Sequence, residues 1–184
     1  RLNFKDIRHR ARRRFDLTKM GLDDGELQKF LTRVESRMAP AVAYESFGAD
    51  SEDTAKLAAI KGLAHTLGMA TLGSGLSELW TETREVSQER AELLNLVYDA
   101  ALSQAVTFVT RLIKDEVEAE RCELSPIQYF EDPEGLKAVF DKLEGAKIDL
   151  RLENGKLAPE NSAAFCLSWI LKRRAKKDPK ASRR

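Results

Sequence analysis

The segment Leu76–Ser125, LSELWTETREVSQERAELLNLVYDAALSQAVTFVTRLIKDEVEAERCELS, runs for 50 residues without a glycine or a proline. Its reading decides the expected fold. One long helix or two nearly continuous ones fit such a stretch, because both common punctuators of chain direction are missing. Leu93, Leu94, Val97, Ala101, Ala105, Phe108, Val109, Leu112 and Ile113 form an apolar band wider than one partner helix can cover. The segment is therefore predicted as a central helix. A continuous 87–120 rod would measure roughly 50 Å at 1.5 Å per residue. Asp115, Glu116, Glu118 and Glu120 crowd its last turns against the helix dipole, which calls for a basic partner. The width of the band around Leu94, Val97, Ala101, Phe108 and Leu112 also predicts a homodimer.

Upstream, Phe4, Ile7, Ala11 and Phe15 recur at helical spacing behind Asn3 as a cap, which predicts a basic amphipathic helix over 3–16. Asp23-Asp24-Gly25-Glu26 reads as a capping box for a second helix carrying Leu27, Phe30, Leu31, Val34 and Met38, ended by Pro40. Ser51 then caps a predicted third helix with Leu57, Ile60, Leu63 and Leu67 on one face. Gly68 to Gly75 has the glycine spacing of a phosphate loop but lacks its lysine and a preceding strand. It reads as a turn between helices.

Downstream, Ser125-Pro126-Ile127-Gln128 and Asp132-Pro133-Glu134 each read as helix starts. Ile148, Leu150 and Leu152 alternate with charged residues, and Asn154-Gly155 is a strong signal for a tight hairpin over 147–158. Pro159 is read as the start of a last helix through Phe165, Leu167, Trp169 and Leu171. The expected fold is mainly α: a multi-helix bundle around a long central helix, with one small β-hairpin near the C-terminus. Residues 1–177 form a single helical domain in this reading, and 178–184 a basic tail.

Composition narrows the class. Hydrophobic residues make up 42% and charged ones 33%, enough apolar material for a core. The longest uncharged stretch, Gly62–Ser77, is 16 residues, short of a membrane span. The chain opens on Arg1 with no signal-like segment, so a processed product is expected. Cys122 and Cys166 cannot form a disulfide framework and suit a reducing, cytoplasmic compartment. The net charge of +1 conceals segregation: Lys and Arg outnumber acids 11 to 7 over 1–45 and 13 to 7 over 134–184, and acids lead 16 to 7 between.

Those basic ends supply the candidate site. Arg8, Arg10, Arg12, Arg13 and Arg14 place five guanidinium forks within two helical turns, a donor array suited to phosphate. Lys172, Arg173, Arg174, Lys176 and Lys177 do the same before the tail. The opposing interpretation is a solvated face that pairs with the chain's own carboxylates. His9, His65 and the two cysteines lack metal-ligand spacing, and neither a nucleophile-elbow, a kinase-like nor a zinc-protease pattern appears. Lys5-Asp6-Ile7-Arg8 with Tyr44 is similar in order to part of the tyrosine recombinase motif. Glu35 stands where that family's second histidine or tryptophan would fall, and its first catalytic arginine has no candidate upstream, so the similarity is set aside. The expectation is a non-enzymatic nucleic-acid-binding or regulatory protein, with no cofactor, that contacts the phosphate backbone through both basic ends. The alternative is an adaptor subunit that docks on acidic protein surfaces.

Overall fold

His65–Thr71 and Ser162–Leu171 are strands, and they make the fold mixed α/β where a mainly α bundle was expected. The computed structural model describes residues 1–172. In chain order the elements are α1 (Phe4–Arg12), α2 (Asp24–Arg37), β1 (Ala41–Phe47), β2 (His65–Thr71), α3 (Gly75–Val86), α4 (Gln88–Leu112) and α5 (Lys114–Ala119). There follow β3 (Cys122–Leu124), β4 (Gln128–Tyr129), α6 (Pro133–Lys142), β5 (Arg151–Glu153), β6 (Lys156–Ala158) and β7 (Ser162–Leu171). The main sheet has the order β1-β2-β7-β3, with β4 also paired to β7, and every pairing is antiparallel.

The reason β2 and β7 read as helices is physical. Every residue of β2 is buried, as are the six from Ala164 to Trp169 in β7. A strand covered on both faces has no polar face to alternate with its apolar one, so period 2 vanishes from the sequence. Leu57, Ile60, Leu63 and Leu67 matched a helical period by coincidence. Residues 48–64 are irregular turns, and Leu67 belongs to β2. Gly68–Gly75 is accordingly the end of β2 and the entry to α3, a correction to the inter-helix turn.

The sheet is sandwiched. On one face Leu67, Met69, Ala164 and Cys166 pack with Leu136 and Val139 of α6 and with Leu157 of β6. On the other, Ala70, Phe165, Leu167 and Trp169 pack with Val106 and Val109 of α4 and Val117 of α5. Phe165 is the largest fully buried side chain, and it has its place because Gly68 lies opposite it: a Cβ on Gly68 would stand 2.3 Å from Phe165 Cζ. Beyond the sheet, α1, α2, α3 and the first half of α4 share a core of Ile7, Leu31, Val34, Leu76, Leu79, Leu94 and Val97.

The uninterrupted 76–125 rod is three helices and a strand. Ser87 is extended (φ −161°, ψ 123°) and its hydroxyl accepts from Arg90 N at 3.3 Å, so it closes α3 and caps α4. The apolar band is covered by α3, α1 and the sheet, and Phe108 and Leu112 stay about half exposed. By length and composition α4 alone would suffice to cross a membrane, yet half of its most apolar window is buried in this core.

The caps divide by outcome. Asn3 and Asp23 accept from Asp6 N and Glu26 N, and Asp132 accepts from Gly135 N at 2.7 Å to start α6. The first helix stops at Arg12, short of residue 16. Ser125 caps no helix: its amide donates to Ser168 O and its hydroxyl accepts from Ser168 N, which hands the segment to β7. The helix expected after Pro159 is β7. The hairpin spans 151–158, with Leu152 opposite Leu157 and Asn154 and Gly155 both at positive φ (52° and 76°), as a type I′ turn requires. Residues 147–148 belong to a short 3₁₀ turn, Gly145–Ile148.

Candidate functional site

The arginine cluster is the first place to look, and its own carboxylates occupy much of it. Arg8 Nη2 lies 2.7 Å from Asp24 Oδ2, Arg12 Nη2 lies 3.4 Å from Asp24 Oδ1, and Arg10 Nε lies 3.0 Å from Asp6 Oδ2. Arg13 and Arg14 are exposed and have no ion-pair partner among the described residues. With Arg12 they wall an open groove of about 1120 Å³, but Asp16, Asp23 and Asp24 line it too. Of the second basic segment only Lys172 is described: it is exposed, and its amide donates to Arg121 O at 3.0 Å. Arg173, Arg174, Lys176, Lys177 and the 178–184 tail lie outside the described residues. Helix α1 packs on the first half of α4, and Arg121 follows α5 beyond its far end. The arginines and Lys172 therefore flank opposite ends of a helix roughly 37 Å long.

A second concavity has a different character. It holds about 860 Å³ and lies where α4, the β4–α6 connection, the β5–β6 hairpin and the start of β7 meet. Leu136, Leu157 and Ala164 form its floor, continuous with the core beneath the sheet. Tyr129 stands at its side, 46% exposed, held edge-on against Phe165 with ring centroids 6.5 Å apart. Such a tyrosine is held by one aromatic neighbour and leaves nearly half of its surface to solvent. Phe130 lines the same wall, and its amide donates to Ala164 O at 3.0 Å.

The charge of this cleft is one-sided. Among the described residues, Asp99, Glu131, Glu153 and Glu160 line it against a single cation, Lys156. Glu153 is partly satisfied by Arg151 at 3.6 Å; Asp99, Glu131 and Glu160 have no ion-pair partner among the described residues. Four carboxylates around a concave, partly apolar surface hold a negative potential that water screens less well than on an open surface.

The cleft also contains an unpaired piece of sheet. Phe130 donates to Ala164 O and Ser125 donates to Ser168 O, whereas Trp169 donates to Ala64 O. Even-numbered residues of β7 thus turn their peptide groups toward β3 and β4, and odd-numbered ones toward β2. Ser162 continues this alternation past the end of β4, so its N–H and C=O face the cleft where, among the described residues, no strand pairs with it. The Ser162 hydroxyl is already committed, donating to Thr71 Oγ1 at 2.8 Å. The hairpin forms the outer wall, and its tip is seated: a Cβ on Gly155 would meet Pro133 Cβ at 2.9 Å.

None of these lining residues is among the basic positions singled out from sequence. The signals were present but scattered. Tyr129-Phe130 directly before Glu131-Asp132-Pro133 puts aromatics and acids at a turn, and Asn154-Gly155 marks a second turn. Nothing in the sequence shows that the two turns meet. No group of three or more His, Cys, Asp or Glu side chains is placed to hold a metal ion among the described residues. No family model matches the chain, and no curated protein is similar to it in sequence.

Proposed function

We propose that the protein is a ligand-binding domain whose cleft between α4, α6 and the hairpin takes a small organic cation bearing a planar group. The observation that carries this reading is the convergence of four carboxylates and a half-exposed tyrosine packed on Phe165 on one cleft with an open strand edge. The acids favour a cation, the Tyr129 face favours a flat or quaternary group, and the Ser162 peptide offers one donor and one acceptor. A cleft of that volume suits a molecule of drug or cofactor size rather than a polymer.

Nucleic-acid binding through the N-terminal helix finds no support in this geometry. Asp24 pairs with Arg8 and Arg12 and Asp6 with Arg10, so three of the five arginines already have a carboxylate beside them. Calorimetric titration tests the proposal with tryptamine and tyramine as cationic probes, and indole and p-cresol as neutral counterparts. The cations are expected to bind and the neutral rings to bind at least tenfold more weakly. At a hundred times Kd the cation should stabilise the fold by about 2.7 kcal/mol. Tyr129→Ala and the double variant Asp99→Asn, Glu160→Gln should each abolish the preference. Equal binding of both probe types, or salt-steep binding of duplex DNA in place of either, contradicts the reading.

A further inference from the structure

We infer that the outer edge of β1 is a self-pairing surface, and that two copies of the chain join there into one continuous antiparallel sheet. Among the described residues the edge is open: β1 pairs only with β2, and its residues are no more than partly buried, whereas β2 is buried throughout. Seven residues, Ala41–Phe47, run without a proline, a lysine or a bulge, the devices by which sheets usually blunt such an edge. Glu45 is the single charge on it.

The direction of the peptide groups follows from the ladder. Ala64 O accepts from Trp169, so even-numbered residues of β2 face β7 and odd-numbered ones face β1. Through the register Ala43↔Met69 and Glu45↔Leu67, odd-numbered residues of β1 then face β2. Val42, Tyr44 and Ser46 turn their N–H and C=O groups outward.

This set is complementary to itself. A two-fold axis at Tyr44 sets Tyr44 against Tyr44, Val42 against Ser46 and Ala43 against Glu45 of the second copy. All three outward residues then fall in hydrogen-bonded pairs, for about six inter-strand bonds. Tyr44, 40% exposed, lies at the axis on the α4 side of the sheet and meets its twin. No charge opposes a like charge directly; the two Glu45 carboxylates sit diagonally and stay in solvent. Strand β1 is the edge of the sheet remote from β3 and β4, so the contact leaves the cleft open and does not depend on its ligand.

The test is sedimentation of the whole chain from 1 to 100 µM together with amide hydrogen exchange. The wild type should approach twice 20.7 kDa at the upper concentrations. The amides of Val42, Tyr44 and Ser46 should become slower to exchange as concentration rises, while those of β2 stay constant. Tyr44→Pro deletes an outward donor without touching the β1–β2 ladder and should weaken association at least a hundredfold. Tyr44→Lys, which sets two cations at the axis, should do the same and decides the matter if the proline variant does not fold. A monomeric wild type at 100 µM overturns the inference. So does a dimer that either folded variant leaves intact, or one whose Val42, Tyr44 and Ser46 amides gain no protection.

Discussion

Gly68 shows how one residue without a side chain sets the middle of the sheet. Phe165 lies across it from the neighbouring strand, with three ring atoms inside 3.0 Å of where a Cβ would be. A fully buried phenylalanine contributes roughly 2–3 kcal/mol, and a methyl group at Gly68 would push it from its rotamer. Gly68→Ala is expected to destabilise the fold by about 2 kcal/mol in urea denaturation. Adding Phe165→Leu should cost less than the sum of the two single changes, because the clash is shared. Tyr98 makes a second prediction at this scale. Its hydroxyl donates to Leu76 O at 2.9 Å, and burial holds the phenol well above its usual range. The folded state therefore keeps a proton that the unfolded state releases near pH 10, so stability falls as pH rises through and beyond that value. Melting temperature should drop between pH 9 and 11, and Tyr98→Phe should flatten the part of that slope due to this group. Both features are invisible in sequence: neither Gly68 nor Tyr98 announces its partner, which lies 97 residues away for one and 22 for the other.

At the level of elements, the caps at Asn3, Asp23 and Asp132 and the Asn154-Gly155 turn proved reliable, whereas Ser51, Ser125 and Pro159 start no helix. Helices α1, α2 and α6 begin at the caps their sequences advertise, because a cap is a contact between residues three apart. The hairpin likewise formed where Asn154-Gly155 placed it, with Leu152 facing Leu157 across the ladder. Strands β2 and β7 were hidden by their burial on both faces. Ser125-Pro126 carried a helix-start pattern, but Ser168 claimed both its amide and its hydroxyl. The hairpin yields a prediction that joins fold and site. Gly155→Val must hold a β-branched residue at φ +76° and drive a Cβ into Pro133. A loss of 1–3 kcal/mol is expected from the backbone alone. Because the tip is one wall of the cleft, ligand affinity should fall alongside; an unchanged melting temperature would show that the turn is not where the strain lies.

For the whole molecule, charge segregation was legible and its meaning was not. The basic N-terminal run is real, yet Asp6 and Asp24 pair with three of its arginines, an arrangement only folding reveals. The acidic middle, read from sequence as a counterpart for that run, instead sends Asp99 and Glu131 to a cleft that Glu153 and Glu160 complete from the C-terminal third. Sequence distance concealed it: the lining residues are drawn from five separate stretches between Asp99 and Ala164. The most direct test is a titration of the isotopically labelled protein with tryptamine, followed by backbone amide shifts at constant salt. Saturable shifts are expected at Ser103, Tyr129, Phe130, Asn154 and Ser162, with α1 unmoved. Shifts confined to α1, or none at millimolar ligand, would contradict a ligand site in the cleft.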